Sequence, residues 1–235
     1  MKNDHKVGIM MYIDKLINKY KSDLQVNFIP FWEKAIDQKY GGVFTCFKND
    51  GATLVSDKKY IWSQGRFLWL CSHMSMMYKR GLIHLPEQWE KITEHTYHFL
   101  TEYALMSNNH AVFAVERNGK HIKDQMDISI FSDCFYVLGC NAYALLKKDM
   151  RAFEKAMVVY RSIKERIEKN TFDSEPYPVP GGYRSHSIQM ILLNVTQELH
   201  ETANELNHYS INYLAKDTIS FLEVIMKEFS DKNRI

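Results

Sequence analysis

Chain breakers are scarce: 5 prolines and 10 glycines in 235 residues. That scarcity excludes a collagen-like or low-complexity chain and leaves room for long helices between short, definite breaks. Cysteine is sparse too. Cys46, Cys71, Cys134 and Cys140 show no C-x-x-C spacing, so no zinc ribbon is expected, and the four thiols read as free and mostly buried. No apolar run reaches the ~18 residues of a membrane span, and the opening MKNDHKVGIM has no apolar leader core. A cytosolic location without a membrane partner is therefore expected. An excess of one charge is also missing. Lys+Arg total 30 against 28 Asp+Glu, a net charge of +2, which gives no electrostatic case for nucleic acid as a partner. There is no G-x-S-x-G, Walker loop, G-x-G-x-x-G or H-E-x-x-H. His95 and His98 lack a third ligand nearby in sequence, so no metal is expected.

What is abundant is apolar and aromatic. Hydrophobic residues make up 46% and aromatics 13%, enough for a large single-domain core or an aromatic-lined cavity. Helical spacing predicts a helix over about 9–37, kinked at Pro30 and ended by Gly41-Gly42. Residues 43–54 read as a hairpin turning at Asn49-Asp50-Gly51, and 111–122 as a second one turning at Arg117–Lys120. Further helices are predicted over about 60–80, capped by Ser56 or Asp57, then 86–106, 128–146, 150–169, 187–206 and 209–229. A loop with Pro176, Pro178, Pro180, Gly181 and Gly182 separates the 150–169 and 187–206 segments. The segments 61–78 and 128–146 are apolar on nearly every face, whereas 89–105 and 150–167 carry charge on one face. Buried helices alternating with covering helices imply two layers. The expected fold is all-α, an incomplete (α/α) barrel or toroid of about eight helices with two small β-hairpins, as a single domain over 1–235.

With Trp62 at 0° and ~100° per residue, Arg66 falls at ~40°, Trp69 at ~340° and His73 at ~20°. One stripe of an otherwise apolar helix therefore holds two indoles, a guanidinium and an imidazole. Arginine keeps its charge on burial and needs an anion, a polar ligand or water. The indoles beside it suit the apolar face of a sugar, while pairing to a carboxylate of the wall stays open as a structural role. Asp133, the only acid within an apolar helix, is a candidate to orient Arg66 or another inner residue. On the helix from Ser187, Asn194 and Glu198 share one edge of the core stripe. Glu198 either reaches the barrel interior or belongs to a partly solvated flank. His186, in YRSHSI, lines a cavity mouth or lies on the surface. A glycoside hydrolase would need two carboxylates across one sugar bond, a role only Asp133 and Glu198 could be given.

Four blocks carry a family resemblance: PFWEKAIDQKYGGVFTCFKNDG (30–51), SDKKYIWSQGRFLW (56–69), SIFSDCF (129–135) and SHSIQMILLNVTQEL (185–199). In order and spacing the chain resembles the N-acylglucosamine 2-epimerase family. The resemblance implies an (α/α)6 barrel and an isomerase or epimerase of N-acyl hexosamines, cellobiose or mannose-like sugars. It implies no metal, although some members respond to ATP, so ATP is carried as a candidate activator. Its chemistry takes a proton from the carbon next to the sugar carbonyl and returns one to the other face. That needs two acid/base groups and a donor at the oxygen. By the W-x-Q-G-R block the resemblance places Arg66 near the substrate oxygen, with Trp62 one turn earlier in the same pocket, and on the 185–199 block it matches Asn194. The candidate catalytic residues are Arg66 and Glu198, and the candidate sugar contacts Trp62, Trp69, Asn194, His73 and His186. Two branches of the family carry a His four residues after the Asn matching Asn194. Here that position is Glu198, which favours the N-acyl branch.

Length departs from the family. Twelve helices would need roughly 350 residues at ordinary element and loop lengths. The chain reads as the amino-terminal portion, ending before the half that holds the family's acid/base histidines. Its isolated activity is expected to be weak or absent, and a homodimer closing the open seam is the partner expected besides a small-molecule sugar. The rival reading is a non-catalytic carbohydrate-binding or dimerising half barrel.

Overall fold

The computed structural model describes residues 2–230; Met1 and the closing Asp231–Ile235 lie outside the described residues. The chain opens with α1 (Lys2–Asp23), a widened π-helical turn (Leu24–Phe28) and α2 (Ile29–Ala35). Pro30 sits in the first turn of α2, where its missing N–H costs no helical bond. The predicted kink is thus a π turn just before the proline.

β1 (Cys46–Phe47) pairs antiparallel with β2 (Leu54–Ser56), and Gly51 N–H closes the intervening turn on Lys48 O at 2.9 Å. This is the first predicted hairpin. The second is altered. Glu116 N–H bonds Lys120 O at 2.9 Å to make the turn. Its strand β4 (Ala114–Val115), however, pairs with β3 (Lys59–Tyr60), more than fifty residues upstream. β3 runs directly into α3 (Ile61–Lys79), so Tyr60 occupies the cap position and neither Ser56 nor Asp57 caps this helix.

The remaining helices alternate as the apolar patterns require. α3, α5 (Ile130–Lys147) and α7 (His186–Glu205) form the inner layer, with α5 packed between α3 and α7. α4 (Gln88–Tyr103) backs α3, α6 (Met150–Glu168) backs α5, and α8 (Ile211–Glu228) backs α7. The main core lies between the layers, with Leu68, Val137, Phe153, Met157, Leu192 and Leu199 fully buried. At an accessible-area value of ~25 cal/mol/Å², each such side chain contributes about 1.5–3 kcal/mol. Asp149 caps α6 by accepting from Arg151 N–H at 2.8 Å and Ala152 N–H at 3.2 Å.

Two features hold α3 in place. Gly65 and Gly139 let α3 and α5 touch through their backbones. A Cβ at Gly65 would stand 2.1 Å from Phe135 O, and one at Gly139 2.6 Å from Gly65 O. Ahead of α3, Lys59 is fully buried, and its ammonium donates to Asp37 Oδ2 (2.9 Å), Gly41 O (2.7 Å) and Arg117 O (2.9 Å). Arg117 grips the same carboxylate through Nε and Nη2 at 2.9 and 3.0 Å. Burial alone would raise the Asp37 carboxyl, but the donors Arg117 and Lys59 hold it well below the usual carboxylate range. This network ties the Gly41-Gly42 loop, β3 and the second turn into one block. At the two ends of the layered arc, Met11, Ile13 and Ile17 of α1 and Ile219, Leu222 and Met226 of α8 are exposed.

Candidate functional site

The inner faces of α3, α5 and α7 surround a cavity of about 620 Å³ on the concave side. Its polar groups are Arg66, Asn194 and Ser187, and its walls are Trp62, Phe131, Phe135, Tyr177, Met190 and Ile191. The close approach of Gly65 to Phe135 positions the key pair. The Arg66 guanidinium stacks 3.5 Å from the Phe135 ring centre and 5.5 Å from that of Trp62. Trp62 is itself fixed edge-on by Phe113 at 5.0 Å. Arg66 is exposed, yet toward this cavity, and has no hydrogen-bond or ion-pair partner among the described residues. Partial burial pulls its pKa down from the ordinary arginine value, but a guanidinium stays charged near neutrality. It is thus a cation held by aromatic faces with its donors unspent.

Asp133 does not orient it. That carboxylate is fully buried, pairs with Arg166 Nη2 of α6 at 2.7 Å and accepts from Ala111 N–H at 2.9 Å. Burial raises the Asp133 carboxyl to about 6 against the pull of Arg166. Arg166 also reaches Asp127 at 2.9 Å, which in turn meets His110 at 2.6 Å. The group is a wall-to-outer-helix tie. The hydrolase reading therefore loses one of its two carboxylates to a buried ion pair.

Trp69, His73 and Glu198 form a second cluster along the same helices. Trp69 Nε1–H donates to Glu198 at 2.9 Å from each carboxylate oxygen, spanning from α3 to α7. His73 stacks on the Trp69 ring at 4.1 Å, and its Nδ1 lies 3.1 Å from Trp69 O. Burial raises the Glu198 carboxyl above the usual range, while the Trp69 donor and the nearby His73 pull the other way. Asn194, one turn earlier on α7, lines the cavity; Glu198 does not. The sequence-predicted residues thus fall into two adjacent groups, Trp62–Arg66–Asn194 around the cavity and Trp69–His73–Glu198 beside it. His186 belongs to neither. It is exposed at the start of α7, with its ring 5.0 Å from that of Phe229.

Sequence reasoning passed over Phe131, Phe135, Tyr177, Met190 and Ile191. The two phenylalanines are four apart on one helix face inside the SIFSDCF block, a signal that was available. Tyr177 lies in the proline-rich loop, where no periodicity assigns a direction. Among the described residues, no group of three or more His, Cys, Asp and Glu could hold a metal ion, and no helix is long and apolar enough to cross a membrane.

Comparison with known proteins follows the same lines. Residues 42–235 match the family model for N-acylglucosamine 2-epimerase (GlcNAc 2-epimerase). N-acylglucosamine 2-epimerase of Bos taurus is 30% identical over 183 residues, spanning 76% of this chain and 42% of that protein. The Homo sapiens protein of the same name is 27% identical over the same shares. The chain therefore spans less than half the length of these curated relatives. Among solved structures, cellobiose 2-epimerase from Bacillus thermoamylovorans superposes with a TM-score of 0.75 at 16% identity, covering 93% of this chain and 57% of that one. A D-mannose isomerase gives 0.67 at 12% identity, covering 91% and 53%. At such identities the likeness is one of fold, that of the (α/α)6 barrel, over somewhat more than half of each neighbour's length. Its matched family model and its curated relatives agree that the chain belongs to the N-acylglucosamine 2-epimerase family.

Proposed function

We propose that this chain carries the sugar-binding wall of an N-acylglucosamine 2-epimerase-type isomerase, acting at C2 of an N-acyl hexosamine. The observation that carries the reading is the unpaired Arg66 guanidinium, stacked on Phe135 in a 620 Å³ cavity beside Trp62 and Asn194. Trp62 offers an apolar face to the sugar ring, and Asn194 offers amide donors and an acceptor to its hydroxyls. Arg66 stabilises the oxygen that gains negative charge when the C2 proton leaves. The candidate acceptor of that proton is Glu198, which stands beside the cavity one turn beyond Asn194 and would have to turn toward the bound sugar to take it. Burial raises its carboxyl above the usual carboxylate value, and the Trp69 indole N–H holds its orientation. Return to the opposite face needs a second acid. No carboxylate or imidazole lines the cavity among the described residues, so weak turnover by this chain alone is expected.

The test is to incubate the purified chain with N-acetylmannosamine or N-acetylglucosamine in deuterated water, with and without ATP. Deuterium entry at C2 and formation of the epimer are then followed by NMR. The same lack of a cavity-lining acid/base favours, as the second reading, a sugar-binding half barrel without catalysis. Sugar binding with no C2 exchange supports that second reading. Fast epimerisation refutes it, and also refutes the need for a second wall.

A further inference from the structure

The cavity is chemically two-sided, and the side away from Trp62 has no assigned role. From Arg66 an apolar track runs along α5 through Phe135 and, one turn earlier, Phe131, and ends at Tyr177. Met190 of α7 faces the same space. Tyr177 is 74% exposed and Met190 52%, although both line a concave wall. The backbone under Tyr177 is nonetheless tied down. Tyr177 N–H donates to Ser174 O at 2.9 Å, and Ser174 Oγ donates to Tyr177 O at 3.1 Å. Ser174 bridges Ser129 at the head of α5, flanked by Ile130 N–H to Asp173 O (2.8 Å) and Glu175 N–H to Ile128 O (3.0 Å). A large aromatic side chain is thus carried on a turn pinned to the helix that bears Phe131 and Phe135, with no aromatic or hydrogen-bond partner of its own among the described residues.

We infer that Tyr177, with Phe131 and Met190, receives the acyl arm of the substrate and makes Tyr177 a specificity-determining residue for N-acylated over unacylated sugar. The inference rests on the reading of the cavity as a sugar site at Arg66. If Arg66 meets the C1 oxygen, the substituent at C2, the adjacent carbon, lies along the track that starts at Phe135. An acyl group brings a methyl and a flat amide, which pack on aromatic and thioether surfaces. A bare hydroxyl in the same place offers these aromatic and thioether surfaces nothing to pack on, so an unacylated hexose gains no affinity there. The exposure of Tyr177 and Met190 leaves the track open at its outer end, so acyl chains longer than acetyl also fit.

The experiment is calorimetric titration of N-acetylglucosamine, N-butanoylglucosamine and glucose into the full chain and into its Tyr177→Ala, Tyr177→Phe and Arg66→Ala variants. The intact chain should prefer both acylated sugars to glucose. Tyr177→Ala should lose about tenfold in affinity for them, the scale of one aromatic contact, while leaving glucose affinity unchanged. Tyr177→Phe should restore the preference. Since the Tyr177 side chain is mostly solvated, the thermal midpoint of Tyr177→Ala should match the parent. If Arg66→Ala weakens all sugars but Tyr177→Ala weakens none, or weakens all equally, the acyl assignment is wrong and the sugar site stands. If no sugar binds the intact chain, both are wrong.

Discussion

Replacing Gly65 by alanine sets two physical effects against each other. Gly65 lies inside α3, where alanine is favoured by about 1 kcal/mol on helix propensity alone. The added Cβ, however, would meet Phe135 O at 2.1 Å, Phe135 C at 2.4 Å and Tyr136 N at 3.0 Å, all of them backbone atoms. Ordinary contact begins at 3.4 Å, so α3 and α5 would have to part by about 1.3 Å. Backbone atoms of a packed helix cannot swing aside as a side chain can, and both layers behind them must follow. Overpacking of this kind costs about 3 kcal/mol or more. The net loss expected for Gly65→Ala is about 2 kcal/mol, or about 4–8 °C in thermal midpoint for a domain of this size. Gly181→Ala is the control. No atom lies within 4 Å of a Cβ there, and its effect should stay within about 0.5 kcal/mol. Urea unfolding followed by circular dichroism measures both. A Gly65→Ala protein as stable as the parent, or more so, would show that α3 and α5 do not touch backbone to backbone, and the placement of Arg66 against Phe135 would fall with that contact.

Asp37→Asn leaves the buried Lys59 ammonium without a counter-charge and should cost about 3–5 kcal/mol at pH 7. The folded pKa of Asp37 is depressed, so its stabilisation is present above the unfolded carboxylate value near 3.9 and is lost as pH falls through and below it. Urea midpoints between pH 7 and 3 should therefore decline less in Asp37→Asn than in the parent; parallel curves would contradict the ion pair. Glu198 has the opposite sign. Its folded pKa is raised, so the native state keeps that proton longer than the unfolded chain does, and the group's contribution to stability falls as pH rises through the raised value. Trp69→Phe removes the donor that opposes this shift, and carboxyl carbon-13 titration should show Glu198 moving further upward. A downward move would show that the indole does not hold the carboxylate.

The layering was legible because it is periodic. All-round apolar α3 and α5 and one-faced α4 and α6 announce burial and cover without any knowledge of partners. The stripe Trp62–Arg66–Trp69–His73 was legible for the same reason, as a property of one helix. Partner choice between helices was not. A lone acid in an apolar helix signals an ion pair, but nothing in spacing says that Asp133 meets Arg166 on α6 and not Arg66 on α3. The local turn at Asn118-Gly119 was readable, whereas the docking of β4 on β3 depends on a contact far along the chain. Lys59 was passed over because lysine is almost never fully buried unless paired, and its partner Asp37 sits at the end of a different helical segment. The wheel put Trp69 on the inner stripe and left Glu198 between interior and flank; their hydrogen bond, which settles Glu198 toward α3, appears only in three dimensions.

The most direct measurement is the affinity of N-acetylglucosamine for the intact chain and for Arg66→Ala, taken with the thermal midpoint of each. The side chain of Arg66 has no polar partner to lose among the described residues and lines the cavity, so the variant should fold and lose no more than its stacking on Phe135, about 0.5–1 kcal/mol. Loss of charged hydrogen bonds to the sugar oxygen, about 1.5–3 kcal/mol, should weaken binding about ten- to a hundredfold. Equal affinity in the two proteins, or an Arg66→Ala chain that no longer folds, would contradict a ligand-facing guanidinium.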